Sequence, residues 1–166
     1  MTIQLHLAQL HDLPILEALA RRIWQIHYVP MIGQEQVDYM LDTFYSVPAL
    51  IQQIKDGQCF QLIEYNFKTI GYLAITNKGE GNYFLNKFYI DNTEQGKGIG
   101  ANVLNLALDQ YPDIYNISLQ VNKHNYKAIN FYFKMGFKID KLFTLDIGEG
   151  YIMDDFWMVK QMHPLQ

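Results

Sequence analysis

A chain of 166 residues has room for one domain with one core, because two halves of that length would each bury too little apolar surface to fold comfortably. Its 49% hydrophobic and 18% charged residues describe an ordinary globular protein, and a formal net charge of −4 argues against nucleic acid as the main partner, since phosphate backbones select basic surfaces. No apolar run approaches the roughly 20 residues needed to span a bilayer, no basic-then-apolar leader opens the chain, and Cys59 alone makes no internal disulfide, so the expectation is a cytoplasmic protein without a membrane partner.

Residues 4–8 alternate in polarity and predict the first strand. Asp12 and Pro14 signal a helix start, after which Leu16, Leu19, Ala20 and Ile23 keep the spacing of one buried face. Val37, Met40, Leu41 and Phe44 mark a second helix. Ser46 and Pro48 open a third that runs to Lys55 and stops at Gly57. Three strands follow, over residues 59–64, 68–76 and 83–90, with Asn66 near the first turn and Gly79 and Gly81 near the second.

The run Glu94-Gln95-Gly96-Lys97-Gly98-Ile99-Gly100-Ala101 comes directly after that apolar strand and opens into the amphipathic stretch 103–108. This is the layout of an anion cradle: glycines let successive backbone N–H groups converge on a phosphate, and the helix N-terminus adds partial positive charge. The plainer reading is a Gly-rich turn capping a helix. A Walker loop fails on spacing and on the missing Ser/Thr, and Gly96-Lys97-Gly98-Ile99-Gly100 also fails the dinucleotide spacing. What remains is Gln-x-x-Gly-x-Gly at Gln95, Gly98 and Gly100. The helix ends before Pro112, a strand occupies 116–121, and a helix over 125–135 stops at Gly136. Strands over 137–145 and 151–159 flank the Gly148-Glu149-Gly150 turn and complete a single α/β domain spanning 1–166.

The Gln95–Gly100 pattern resembles the pyrophosphate loop of the Gcn5-related N-acetyltransferases. The stretch from Asn125 to Phe137 is similar to that family's second signature, Asn-x-x-Ala-x-x-(apolar)-Tyr-x-x-x-Gly-Phe, filled here by Asn125, Ala128, Phe131, Tyr132, Gly136 and Phe137. The resemblance implies a mixed, mostly antiparallel sheet with splayed fourth and fifth strands and helices on both faces. It implies acetyl-CoA as co-substrate and no metal. The main chain of Phe88, Tyr89 and Ile90 would pair with the pantetheine arm, while Gln95, Gly96, Lys97, Gly98, Ile99, Gly100 and Ala101 would hold the pyrophosphate. Asn125 would hydrogen-bond the cofactor, or serve as the cap of its own helix, two roles that do not exclude each other.

Amide formation from a thioester needs a neutral amine, stabilisation of an oxyanion and a proton for the leaving thiolate. Tyr132 matches the family tyrosine near the sulfur and is the candidate general acid. The bland alternative is a buried tyrosine sharing a helix face with Ile129 and Phe133. A base is harder to find, because Gln120 stands where some relatives that acetylate protein N-termini carry glutamate, and the fourth strand offers Asn86 and Lys87. Ordered water, Asp154 or Asp155 are the alternatives. Trp24, His27, Tyr28, Tyr39 and Tyr45 make the early helices unusually aromatic, so Trp24 and Tyr28, with Asp154 and Asp155, are candidates for holding an ammonium group. These rings also suit a core or a homodimer contact. Strand alternation allows only one of the two aspartates to face a pocket. His27 has no second ligand at helical spacing. The resulting expectation is an N-acetyltransferase acting on a small-molecule primary amine such as a polyamine, with a protein N-terminal or lysine acetyltransferase, or a non-catalytic CoA-binding module, as alternatives.

Overall fold

The computed structural model describes residues 2–162. Strands β1 (Ile3–Leu7), β2 (Gln58–Tyr65), β3 (Lys68–Gly79), β4 (Asn82–Ile90), β5 (Asn116–Asn122), β6 (Lys138–Gly148) and β7 (Tyr151–Gln161) alternate with helices α1 (Leu13–His27), α2 (Val29–Ile32), α3 (Gln34–Phe44), α4 (Val47–Lys55), α5 (Ile99–Leu108) and α6 (Tyr126–Lys134). Hydrogen bonds order the strands β1-β2-β3-β4-β5-β7-β6. The β1–β2, β2–β3, β5–β7 and β6–β7 pairs are antiparallel, and β4–β5 is parallel. The sheet is therefore mixed and mostly antiparallel. The chain divides into two compact units, one built from residues up to 76 and from 87 to 111, the other from 77–86 and from 112 onward. No described helix is long and apolar enough to cross a membrane.

In the first unit, Pro14 starts α1 and Leu13, Leu16, Leu19, Ala20, Ile23 and Trp24 form its buried face. Asp12 does not cap this helix. Its carboxylate instead accepts the Gln9 N–H at 2.8 Å and closes a short 3₁₀ turn over Leu10–Asp12, because the short side chain satisfies the donor upstream of it. Helix α2 is a single turn whose four residues carry too little periodicity to be read from sequence. Ser46 precedes α4 in extended backbone without a side-chain cap, so Pro48 supplies the start. On β3, a Cβ at Gly71 would lie 2.3 Å from the Tyr89 carbonyl oxygen and 3.1 Å from Ile90 Cα. Glycine is what lets β4 lie this close to β3.

In the second unit, the parallel ladder pairs Asn82–Leu85 with Asn116–Leu119 and ends there, although β5 runs on to Asn122 and β4 to Ile90. Register then sorts the two faces, since cross-strand partners share one. Leu119 lies opposite Met158 and Val121 opposite Phe156, and Leu119, Val121 and Met158 are buried. The other face carries Ser118, Gln120 and Asn122 opposite Val159, Trp157 and Asp155. Helix α6 begins at Asn125, whose side chain accepts the Ala128 N–H at 3.2 Å. Ile129 and Tyr132 are buried on it, whereas Phe133 is exposed at the edge of the face they share.

Candidate active site

The glycine loop is built by the residues around it. Asp91 ends β4's run: its Oδ1 accepts the Thr93 N–H at 3.1 Å and the Thr93 hydroxyl at 2.9 Å, while Oδ2 accepts from Arg22 of α1 at 2.6 Å. Burial pushes the Asp91 carboxyl up, but the Thr93 donors and the Arg22 guanidinium outweigh it and hold it below the usual range. Gln95 then turns back, its Nε2 donating to the Ile90 carbonyl at 2.8 Å and to Asn92 Oδ1 at 3.3 Å. Lys97 bonds Glu94 at 2.8 Å. Gly96 and Gly98 have φ of 79° and 73°, and a Cβ on either would meet nothing within 4 Å. Gly98 is the N-cap of α5 and offers no side chain to its first N–H groups. The outer side of the loop is thus open backbone, a fit for an anionic diphosphate. Ile99 is buried, whereas Gly100 and Ala101 are half-buried in the first turn.

Two further groups in this unit draw on residues far apart in sequence. Trp24 packs 4.5 Å from Tyr28, 5.2 Å from Tyr45 and 5.7 Å from Tyr89, and Tyr72 lies 5.4 Å from Tyr89 and 5.8 Å from Tyr45. The hydroxyls of Tyr28 and Tyr89 are 3.2 Å apart. Trp24 of α1 and Tyr28, the residue that ends it, therefore stand together in a largely buried cluster that Tyr72 and half-buried Tyr89 complete. Within it Trp24 Nε1 and the Tyr72 hydroxyl are buried without a hydrogen-bond partner of good geometry. Lys87 is also buried, at 8% exposure. Its Nζ donates to Gln53 Oε1 at 2.6 Å and Gln58 Oε1 at 2.8 Å, and lies 5.0 Å from the Phe60 ring centroid and 5.6 Å from that of Tyr45. Burial lowers its pKa from 10.5 to about 7. In sequence this lysine is one polar residue between Asn86 and Phe88, with nothing to signal an amine kept from water.

In the second unit, Tyr132 is buried against the rings of Phe131 and Phe137, each 5.3 Å away. Asn125 is 2% exposed and engaged as the α6 cap. Asp154 and Asp155 fall on opposite faces of β7. Asp154 is exposed and bonded to Lys123, whose Nζ also lies 6.0 Å from the Phe156 ring. Asp155 lies opposite Asn122 on β5 and Phe143 on β6, is 4% exposed, and has no hydrogen-bond donor to its carboxylate among the described residues. Burial pushes its pKa up to about 6, with Asp154 adding to the rise and Lys123 opposing it. Next to it on the same face stands Trp157, 5.2 Å from Phe84 and 5.8 Å from Phe143, with Lys141 over its ring at 5.0 Å.

A family model described as the acetyltransferase (GNAT) family matches residues 20–137. An uncharacterized N-acetyltransferase of Mycobacterium tuberculosis is 24% identical over 154 residues, covering 91% of this chain and 98% of that protein. The fold is similar to that of the PaiA N-acetyltransferase from Thermoplasma acidophilum, solved in complex with coenzyme A, with a TM-score of 0.82, 23% identity, and coverage of 98% of this chain and all of that one. It is also similar to a spermidine N-acetyltransferase chimera of Vibrio cholerae SpeG and hSSAT, with a TM-score of 0.69, 20% identity, and coverage of 97% and 96%.

Proposed function

The chain belongs to the acetyltransferase (GNAT) family and is an N-acetyltransferase that uses acetyl-CoA, and from that premise we propose that its acceptor is a small cationic primary amine. Acetyl-CoA supplies an acetyl group activated as a thioester. In this reading the main chain of Phe88, Tyr89 and Ile90, the loop from Gln95 to Ala101, and Asn125 hold it. The open backbone of Gly96 and Gly98 supports that assignment, as does the Gln95 side chain, which fixes the loop to the end of β4. In this reading Tyr132 donates its Oη proton to the leaving sulfur.

The observation that carries the acceptor class is Asp155: a buried carboxylate with no donor among the described residues, beside the Trp157 ring, suits an ammonium group that brings both charge and N–H donors. Asp154, already bonded to Lys123 on the other face, has no such task. A fold neighbour named for spermidine acetylation is consistent with this class of acceptor. The test is thiol release from acetyl-CoA across a panel of diamines, polyamines, amino acids and peptides. Cationic amines should give the highest kcat/KM, with KM rising as salt is added. Faster turnover of peptides with free N-termini would overturn the proposal.

A further inference from the structure

Ser118, Gln120 and Asn122 are the side chains that β5 turns to the half-buried face of the second unit, and none of them is a base at neutral pH. The opposite face buries Leu119, Val121 and Met158 and carries Asp154, already bonded to Lys123. Along the polar face β7 contributes Val159, Trp157, Asp155 and Met153, so among the β5 and β7 residues paired on that face Asp155 is the one ionisable group, with Lys141 of β6 alongside it over the Trp157 ring. It sits one step along the ladder from the Gln120–Trp157 pair, opposite Asn122, close enough on the sheet surface for a group on Gln120 and one on Asp155 to reach the same ligand atom.

We propose that Asp155 is the proton acceptor for the incoming amine, doing from β7 what no side chain on the same face of β5 is able to do. The inference rests on the acceptor reading above and adds a chemical role to it. Asp155 takes one proton from the acceptor ammonium, and the freed lone pair makes the new C–N bond as the C–S bond opens. The departing sulfur receives the Tyr132 Oη proton. Tyr132 recovers a proton from the nitrogen as the amide forms, and Asp155 releases its own to water, so one proton leaves per turnover. The charged groups around Asp155 are Asp154, which raises its pKa, Lys123, which lowers it, and Lys141 of β6, which stands on the same face over the Trp157 ring. With a pKa of about 6 the carboxylate is ionised at neutral pH and still basic enough to hold a proton briefly.

The experiment combines kinetics with a titration that needs no turnover. Asp155→Asn, Asp155→Glu and wild type are compared for thermal protection by acetyl-CoA, for kcat and KM against pH with the best amine of the panel, and wild type for the carboxyl carbon shift of Asp155 against pH. Asp155→Asn should keep its acetyl-CoA protection and lose about 10² to 10³-fold in kcat, the range of a positioned base. Its acid limb near pH 6 should disappear in favour of a rate that climbs steadily with pH, and Asp155→Glu should recover part of the loss. The carboxyl of the free protein should titrate near 6. The proposal is overturned if Asp155→Asn raises KM with kcat and its pH profile unchanged, which would leave a counter-charge only, or if the carboxyl titrates in the ordinary range near 4. Should an uncharged or peptide acceptor prove best, the acceptor reading fails, while the same kcat profile on that acceptor still decides the role of Asp155.

Discussion

Replacing Lys87 by methionine should make the protein more stable at pH 7, although it deletes two hydrogen bonds. The amine is 8% exposed, and its pKa falls from 10.5 to about 7 because burial disfavours the charged form. That difference corresponds to about 5 kcal/mol of free energy by which folding disfavours the protonated lysine. Between about pH 10 and 7 the unfolded chain binds the Lys87 proton and the folded chain does not, so stability contributed at this site falls as pH drops through that window. Below about 7 both states are protonated and the slope ends. Methionine has similar length and no charge, so it removes the penalty while leaving Gln53 Oε1 and Gln58 Oε1 without their donor, which costs roughly 1–3 kcal/mol. The net gain at pH 7 should be about 2–4 kcal/mol, in line with apolar replacements of other buried ions. Urea unfolding followed by tryptophan fluorescence from pH 6 to 10 measures it, with wild type and Lys87→Met compared at each pH. The gain should shrink toward pH 10 and reverse there, where the lost hydrogen bonds are all that remains. A variant less stable than wild type at pH 7, or a difference that does not change with pH, would refute the reasoning.

Gly98→Glu should abolish thermal protection by CoA, since a side chain in the open left-handed position and a negative charge both oppose a diphosphate; equal protection of variant and wild type in a melting assay would remove the loop assignment. Tyr132→Phe should lower kcat by roughly 10² to 10⁴-fold in steady-state assays and leave acetyl-CoA protection intact, and unchanged turnover would return Tyr132 to a packing role. Gly71→Ala should cost roughly 1–3 kcal/mol in urea unfolding, because its methyl would meet the Tyr89 carbonyl at 2.3 Å and the strand has to shift to accept it; a neutral outcome would mean that β4 gives way freely there.

The features that sequence announces best are those made by short segments acting on themselves. Asn125 caps α6 three residues before the N–H it accepts, and Gly98 turns directly into α5, so spacing alone discloses both. Alternation likewise places Asp154 and Asp155 on opposite faces. Which of them is buried depends on Lys123 claiming Asp154 and on the register that sets Asp155 opposite Asn122, and neither is written in the local pattern. The aromatic side chains of α1 are conspicuous in the sequence, but their partners Tyr72 and Tyr89 come from strands whose own composition gives no reason to single them out. Lys87 is the extreme case. Its neighbours in space are Gln53, Gln58, Tyr45 and Phe60, all about 30 or more residues away, and an alternating strand with a lysine in it ordinarily means a solvated face.

Arg22 shares its helix with Trp24, and it grips the aspartate that shapes the turn leading to the glycine loop. Whatever steadies that turn therefore also steadies the orientation of α1, and the dependence runs equally in both directions, as any thermodynamic linkage must. A ligand seated on the loop and a disturbance that tilts the helix would contend for the same ion pair. Cutting it with Arg22→Met would leave each end of the link in place and separate their responses.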